Sequence, residues 1–260
     1  MNESLYQHYR KEEREFIENV ERWLIQAERQ YSAVVTPFLT PREYLITEQL
    51  VNRQDDLHLR GFGGIESAER VRVCIAPSYY QMELADFDCA CYEIKFPVKF
   101  ATITHGAILG SLLGSGIERN RIGDILTDGV RWQVVLDQQI ASYVVQQVDK
   151  IGSVSVRFVA IEPEALVTPY IEWDEKTIIT PSLRLDTLLA KVYNFSRQRA
   201  KEMVLAGHVK VNYAEIERPD FELEINDFIS VRRYGRFQIL QLEGNTRKDN
   251  LRLAIKVLVK

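Results

Sequence analysis

The sequence contains few of the residues that build metal centres and disulfide frameworks. It has three cysteines and four histidines, and no two of them have the spacing of a zinc site or a redox pair. Cys89 and Cys91 alternate along a predicted strand, so we expect them on one face as small buried residues. An odd number of thiols without a disulfide pattern is typical of a reducing compartment, and we predict a cytoplasmic protein without a metal.

Long apolar runs and catalytic signatures are missing as well. No stretch of about eighteen apolar residues could span a bilayer, and the polar start at Met1–Ser4 is unlike a secretory signal. The chain has no Gly-x-Ser-x-Gly elbow, no Gly-Lys-Ser/Thr phosphate loop and no dinucleotide fingerprint. We therefore predict no cofactor and no catalytic residue, and expect the protein not to be an enzyme.

The net charge of −4 is unevenly distributed along the chain. Residues 181–260 contain 15 Lys and Arg against 10 Asp and Glu, a net of +5, which leaves 18 against 27, a net of −9, for residues 1–180. A basic module attached to an acidic body is typical of a localised nucleic-acid contact.

Hydrophobic periodicity divides the first 180 residues into three parts. Residues 1–68 are predicted as a helical region, with one helix from Leu5 to Tyr31 that is stopped by the stretch 36–41, which contains Pro37. Thr40 is predicted to cap a second helix that starts at Pro41, and residues 61–64 are predicted as a turn or loop. Residues 69–165 give the order β-β-α-β-β-α-β, starting with a strand at Val71–Ile75. This order predicts a split α+β domain of the RNA-recognition or ferredoxin-like type. Residues 166–180 are predicted as a connector.

The C-terminal part, 181–260, is predicted as two short helices, a small strand cluster and a terminal hairpin. Leu185, Leu188 and Leu189 share one helical face. Ser196 is a good N-cap for the second helix, and Gly207 stands where a left-handed residue ends it. Val209 and Val211 then alternate with polar residues as in a half-buried strand.

Polar side chains in this part are placed as RNA binding requires. Cations crowd the first turns of the second helix, where free N–H groups and the helix dipole favour a phosphate. An ordinary solvated helix face with a basic bias explains the charges alone equally well. The predicted RNA-binding residues of this region are Arg184, Ser196, Arg197, Arg199, Lys201, Lys210, Asn212, Arg218 and Arg236.

The pattern closely resembles the S4 domain, the RNA-binding module named after small-subunit ribosomal protein four. The matching elements are Arg-Leu-Asp from Arg184, Ser-Arg from Ser196, Gly-x-Val-x-Val-Asn from Gly207, and Asp-x-Ile from Asp227. Asn226 departs from the glycine usual there, and Asn tolerates a positive φ. The resemblance implies an alpha-L-type RNA-binding fold. We expect Asp186 to be a structural partner for a nearby cation and not a catalytic acid.

A second stretch resembles the central domain of the YlmH family, also called photosystem II S4 domain proteins. It consists of a helix, a glycine-rich exit, Ile117-x-Arg119 and Ile122-Gly123-Asp124-Ile125. Ser230–Phe237 matches the tail of that family, except that Arg233 replaces a glycine. Arg119 and Arg121 are further candidate phosphate contacts, although helix termination and a tight turn explain this stretch as well.

The family resemblance implies binding to structured RNA, rRNA or tRNA on the large ribosomal subunit, and a role in nascent-chain quality control. Two other hypotheses remain open from the sequence. One is an RNA-modifying enzyme that uses the central domain. The other is a protein-interaction module of cell division or photosystem assembly. A dependence of RNA affinity on salt would distinguish binding to structured RNA from the protein-interaction role.

Overall fold

The computed structural model describes residues 9–169, 173–247 and 249–259. The chain divides into two compact units, Met1–Tyr170 and Ile171–Lys260. Each unit combines helices with antiparallel sheets, so the predicted α+β class is confirmed. Among the described residues, none of the helices has both the length and the apolar character needed to cross a bilayer.

The first unit begins with a three-stranded antiparallel sheet and two helices. These elements are α1 (Arg14–Gln30), β1 (Val34–Leu39), α2 (Pro41–Val51), β2 (Leu57–Phe62) and β3 (Val71–Pro77). The strand order is β1-β3-β2. The helix predicted over 5–31 starts at Arg14 after a 3-10 turn, and residues 5–8 lie outside the described part of the chain.

Local sequence signals explain both helices. Helix α1 buries Ile17, Val20 and Leu24, which lie on one face at helical spacing. Helix α2 starts with a capping box, in which the Thr40 side chain accepts the N–H of Glu43 while the Glu43 carboxylate accepts the N–H of Thr40. The predicted cap at Thr40 is confirmed.

Residues 1–68, predicted as a helical region, contain two strands besides the two helices. Pro37, which was expected to stop a helix, lies inside β1. A proline is tolerated there because β1 is an edge strand whose register shifts between Val35 and Phe38. Gly61, expected in a loop, lies in β2, where an added Cβ would come within 2.9 Å of the Tyr44 ring.

The strand predicted at Val71–Ile75 also has a different partner from the one expected. It is β3, the middle strand of this first sheet, and does not belong to the central sheet. Alternation identified it correctly as a strand. Alternation carries no information about which distant strand forms its hydrogen bonds.

The central domain is a four-stranded antiparallel sheet with two helices. Its elements are β4 (Cys89–Lys95), α3 (His105–Gly114), β5 (Ile122–Thr127), β6 (Trp132–Asp137), α4 (Gln138–Gln147), the short hairpin β7 (Lys150–Ile151) and β8 (Val154–Ser155), and β9 (Arg157–Ile161). The strand order is β5-β6-β4-β9. This is the split β-α-β-β-α-β arrangement, so the predicted ferredoxin-like type is confirmed.

Both faces of this sheet are buried. One face packs against α3 and α4, with Ile108 and Val144 in its core. The other face packs against Phe38 of β1 and against Leu166 and Val167, which follow β9.

The Ile-Gly-Asp-Ile motif of β5 holds the two parts of this unit together. A Cβ on Gly123 would lie 2.7 Å from the Phe38 ring, so only glycine allows this approach. The Asp124 carboxylate accepts the backbone N–H groups of Glu69 and Arg70 at 2.7 and 3.2 Å. Burial raises the pKa of Asp124 to about 6 despite these bonds.

The second unit is a six-stranded antiparallel sheet that carries two helices. Its elements are β10 (Asp174–Thr180), α5 (Leu185–Tyr193), α6 (Arg197–Leu205), β11 (Val209–Val211), β12 (Ala214–Glu215), β13 (Phe228–Val231), β14 (Gly235–Asn245) and β15 (Leu251–Val259). The strand order is β10-β15-β14-β13-β11-β12. Part of the predicted connector, residues 174–180, is therefore an edge strand of this sheet.

The predicted turn chemistry of this unit is confirmed. Gly207 ends α6 with φ +67°, and an added Cβ would lie 2.2 Å from the Glu215 carboxylate. Asn226 and Arg233, which stand where the S4 and YlmH patterns have glycine, adopt φ +71° and +72°. At both positions the backbone therefore keeps the positive φ that the glycine of the family pattern would adopt.

Candidate nucleic-acid interface

The first turns of α5 and α6 form a cationic pocket of about 310 Å³. Its lining includes Arg184, Arg197 and Lys201, together with Ser182 and Asp186. Arg197 and Lys201 are one helical turn apart and exposed. Neither forms an ion pair within the part of the chain that the structure describes.

Ser196 is held as the N-cap of α6. Its hydroxyl accepts the N–H of Arg199 at 3.1 Å. Helix geometry leaves the N–H groups of the preceding residues, Arg197 and Gln198, without helical acceptors. The pocket therefore combines side-chain cations with the positive end of a helix, which is suited to a phosphate.

Arg184 is partly engaged by the protein itself. Its Nε and Nη2 donate to the two carboxylate oxygens of Asp186, both at 3.1 Å. Burial alone would raise the pKa of Asp186, but the hydrogen bond and charge of Arg184 outweigh it, and the pKa is lowered. The expected structural role of Asp186 is confirmed, and Arg184 keeps Nη1 outside this pair.

Arg199 is stacked on an aromatic cluster. Its guanidinium lies 4.7 Å from the ring centroid of Phe195 and 5.5 Å from that of Tyr234, and it donates a hydrogen bond to the Tyr234 hydroxyl. The Phe195 and Tyr234 rings contact each other edge to face, with centroids 4.8 Å apart. A stacked guanidinium is pre-organised and keeps donors at its edge for a phosphate.

Lys210 and Arg236 lie on a different surface. Val209 and Val211 enter the core that the helices cover, so the Lys210 side chain between them points to the opposite face of the sheet. Lys210 pairs with Ser230, and Ser230 pairs with Arg236 across the next strand, which places both cations on that open face.

The open face carries its own aromatic contacts. The Arg236 guanidinium lies 5.5 Å from the ring centroids of both Trp173 and Phe228. The Lys256 ammonium lies 5.0 Å from the Trp173 ring, and Tyr213 stacks on Phe228.

The two remaining predicted residues of this unit have internal contacts. Asn212 adopts φ +49°, donates to the buried Asp227 at 2.7 Å and accepts the N–H of Phe228 at 3.0 Å. The Arg218 guanidinium lies 5.3 Å over the Phe221 ring. Asn212 therefore shapes the turn after β11.

Arg119 and Arg121 belong to the first unit and make internal bonds. Arg119 donates to the carbonyl oxygens of Ile122 and Gly123. Arg121 pairs with Asp137, a fully buried carboxylate that also pairs with the buried Arg72 at 3.1 Å. These contacts give both arginines a structural role, and their binding to RNA stays a prediction.

The predicted RNA-binding cations of this unit therefore do not all lie on one surface. The helix group consists of Arg184, Arg197, Arg199 and Lys201. The sheet group consists of Lys210 and Arg236, on the opposite face. The aromatic partners of Arg199 were not predicted from the sequence, although Phe195 directly precedes the predicted cap and was the available signal.

Possible metal ligands are not grouped in the described residues, which contain no cluster of three or more His, Cys, Asp or Glu side chains that could hold a metal ion. Burial raises the pKa values of Cys74, Cys89 and Cys91 to about 11, 12 and 11. These thiols are therefore neutral, weak nucleophiles at physiological pH.

Three family models match consecutive parts of the chain. Residues 12–80 match "YlmH, N-terminal", residues 83–165 match "Putative RNA-binding domain in YlmH", and residues 183–229 match "S4 domain". The chain is also 33% identical over 252 residues to a protein of Bacillus subtilis (strain 168) named ribosome-associated protein quality control protein P2. That alignment covers 97% of this chain and 98% of the relative.

The chain belongs to the YlmH family. The family suggested by the sequence motifs is thereby confirmed. A solved structure with the same family name, the cell division protein ylmH from Streptococcus pneumoniae, is 32% identical with a TM-score of 0.55. It covers 63% of this chain and 99% of its own. The helix group lies within the S4 match, whereas Arg236 lies beyond its end.

Proposed function

We propose that this YlmH family member is a non-catalytic RNA-binding protein that docks on structured ribosomal RNA through the helix group and serves quality control on the large ribosomal subunit. The observation that carries the proposal is the cationic pocket at the start of α6, inside the S4 match. The name of the Bacillus subtilis relative, which aligns over nearly the whole chain, supports the ribosomal assignment.

The geometry of the pocket favours a phosphate backbone as ligand. Arg197 and Lys201 have no carboxylate partner within the described residues, and the capped helix end supplies N–H donors and partial positive charge. The aromatic contacts fix the Arg199 guanidinium in the first turn of the same helix, outside the lining of the pocket. Such backbone contacts read the shape of folded RNA and carry little sequence information.

The proposal is tested by co-sedimentation of the full-length protein with purified large ribosomal subunits. We expect Arg197→Glu/Lys201→Glu to lose most of its binding, because two phosphate contacts become repulsive. A matched control is Lys176→Glu/Lys191→Glu, which makes the same charge change at exposed positions of the same unit outside the pocket. Equal binding of both double variants would remove the helix group from the interface.

A second candidate is a protein-interaction role in cell division, favoured by the name of the Streptococcus pneumoniae relative. In that case the helix group would be incidental to function. Cells carrying Arg197→Glu/Lys201→Glu would then divide normally although the variant no longer sediments with ribosomes.

A further inference from the structure

The central domain cannot bind RNA in the way that RNA-recognition domains do. Those domains stack bases on aromatic side chains of the open sheet face. Here the corresponding face is closed by Phe38, Leu166 and Val167. The buried Gln133 secures this cover, because its amide donates to the Ala165 carbonyl at 3.1 Å and accepts the Val167 N–H at 2.6 Å.

One end of the same sheet carries exposed apolar and cationic side chains together. Lys95 pairs with Arg157, and Ile94 pairs with Trp132, so β4 ends where β6 and β9 begin. The loop that leaves β4, residues 96–104, therefore lies at this end. The β5–β6 turn, residues 128–131, lies there too.

The tip of the 96–104 loop presents an unusually exposed aromatic ring. Phe100 is 89% exposed and Val98 is 56% exposed. The tip is a defined turn, because the N–H groups of Phe100 and Ala101 both donate to the Pro97 carbonyl at 2.9 and 3.1 Å. Exposed apolar surface that is rimmed by polar groups is typical of an interaction site, and Phe100 together with Val98 provides such surface at this tip.

The surrounding charges are mainly cations. Lys99 precedes Phe100, and Lys95 and Arg157 lie at the adjoining strand ends. Lys95 contacts Glu93, whereas Lys99 and Arg157 form no ion pair within the described ranges. These cations stand out because residues 1–180 carry a net charge of −9.

We propose that this end of the central sheet, the loop surface of Lys95, Val98, Lys99, Phe100 and Arg157, binds an unpaired RNA segment. Phe100 stacks on one base, and Lys99 and Arg157 contact the flanking phosphates. A ring interleaved with cations fits single-stranded nucleic acid, which offers a π-face and a charge at every nucleotide. This inference deepens the proposed function and rests on it.

The test uses full-length protein that carries Arg197→Glu/Lys201→Glu, so that the helix group contributes less to binding. Two labelled probes are titrated: an oligouridylate of about twelve nucleotides, and a sugar–phosphate chain of the same length without bases. We expect Phe100→Ala to weaken oligouridylate binding by about five- to a hundredfold and to leave binding of the abasic chain unchanged. Lys99→Glu should weaken binding of both probes.

The matched control is Tyr79→Ala, which removes another exposed aromatic ring, 69% exposed, after β3. The proposal that the loop surface binds RNA would be overturned if Phe100→Ala left the oligouridylate affinity unchanged. It would also be overturned if Tyr79→Ala lowered that affinity as much as Phe100→Ala does. An equal loss on the abasic chain would also overturn it, since stacking would then play no part. A different outcome is that Arg197→Glu/Lys201→Glu abolishes ribosome binding while Phe100→Ala changes the affinity for neither probe. That result would contradict RNA binding by the loop surface and leave the proposed function intact.

Discussion

Replacing Asp137 by asparagine should strongly destabilise the first unit. The Asp137 side chain is fully buried and pairs with Arg72, whose side chain is only 4% exposed, and with the half-exposed Arg121. Asp137 also caps α4, because its carboxylate accepts the N–H of Gln139 at 3.0 Å. The amide oxygen of an asparagine can accept the same N–H. The substitution therefore isolates the loss of the counter-charge.

The expected cost follows from the burial of Arg72. Breaking a buried ion pair by removing one charge costs about 3–5 kcal/mol, because the remaining charge is left uncompensated. With a urea m-value of about 2 kcal/mol per M, the unfolding midpoint should fall by roughly 2 M. Removing the cap as well, in Asp137→Ala, should cost about 1 kcal/mol more.

The assay is urea unfolding followed by the fluorescence of the tryptophans in α1 and β6, Trp23 and Trp132. The control is Asp128→Asn, which breaks an exposed ion pair with Arg131 and should leave the midpoint almost unchanged. A midpoint for Asp137→Asn equal to that of the control would refute the argument that this carboxylate compensates the buried charge of Arg72.

Three further predictions concern the same unit. Gly123→Ala should lower stability by about 1–3 kcal/mol because its Cβ would strike the Phe38 ring, and Phe38→Leu should recover part of this loss in thermal unfolding. The pKa of Asp124, raised to about 6, adds stability that is present at low pH and lost as pH rises through about 6. The stability difference between wild type and Asp124→Asn should therefore shrink between pH 4 and 7. The three cysteines should react slowly with a thiol reagent at pH 8 in the native protein and quickly in urea, since burial raises their pKa values.

Features set by neighbouring residues could be predicted from the sequence. The Thr40 and Ser196 caps, the left-handed Gly207 and a nearby cation as partner of Asp186 are all confirmed, and that cation is Arg184. Each depends on contacts within a few residues, for which spacing and side-chain chemistry are sufficient.

Features set by distant partners could not be predicted. The strand β3 was recognised, but its partners are β1 and β2. Arg121 was predicted as a phosphate contact, and no sequence signal pairs it with Asp137, sixteen residues away. The cover over the central sheet also depends on a distant segment, since Phe38 comes from β1.

The separation of Lys210 from the helix group could have been anticipated. The alternation of Val209, Lys210 and Val211 already places Lys210 away from the core. Because amphipathic helices pack on the core face, cations at their starts and a lysine between core valines belong to opposite sides.

The most direct test of RNA binding by the helix group is the salt dependence of affinity for large ribosomal subunits. With Arg184, Arg197, Arg199 and Lys201 each neutralising one phosphate, we expect a slope of log affinity against log salt of about −3 to −4. The Arg197→Glu/Lys201→Glu variant should reduce this slope by about 2, with weaker binding at every salt concentration. A slope and an affinity equal to those of the wild type would contradict the account.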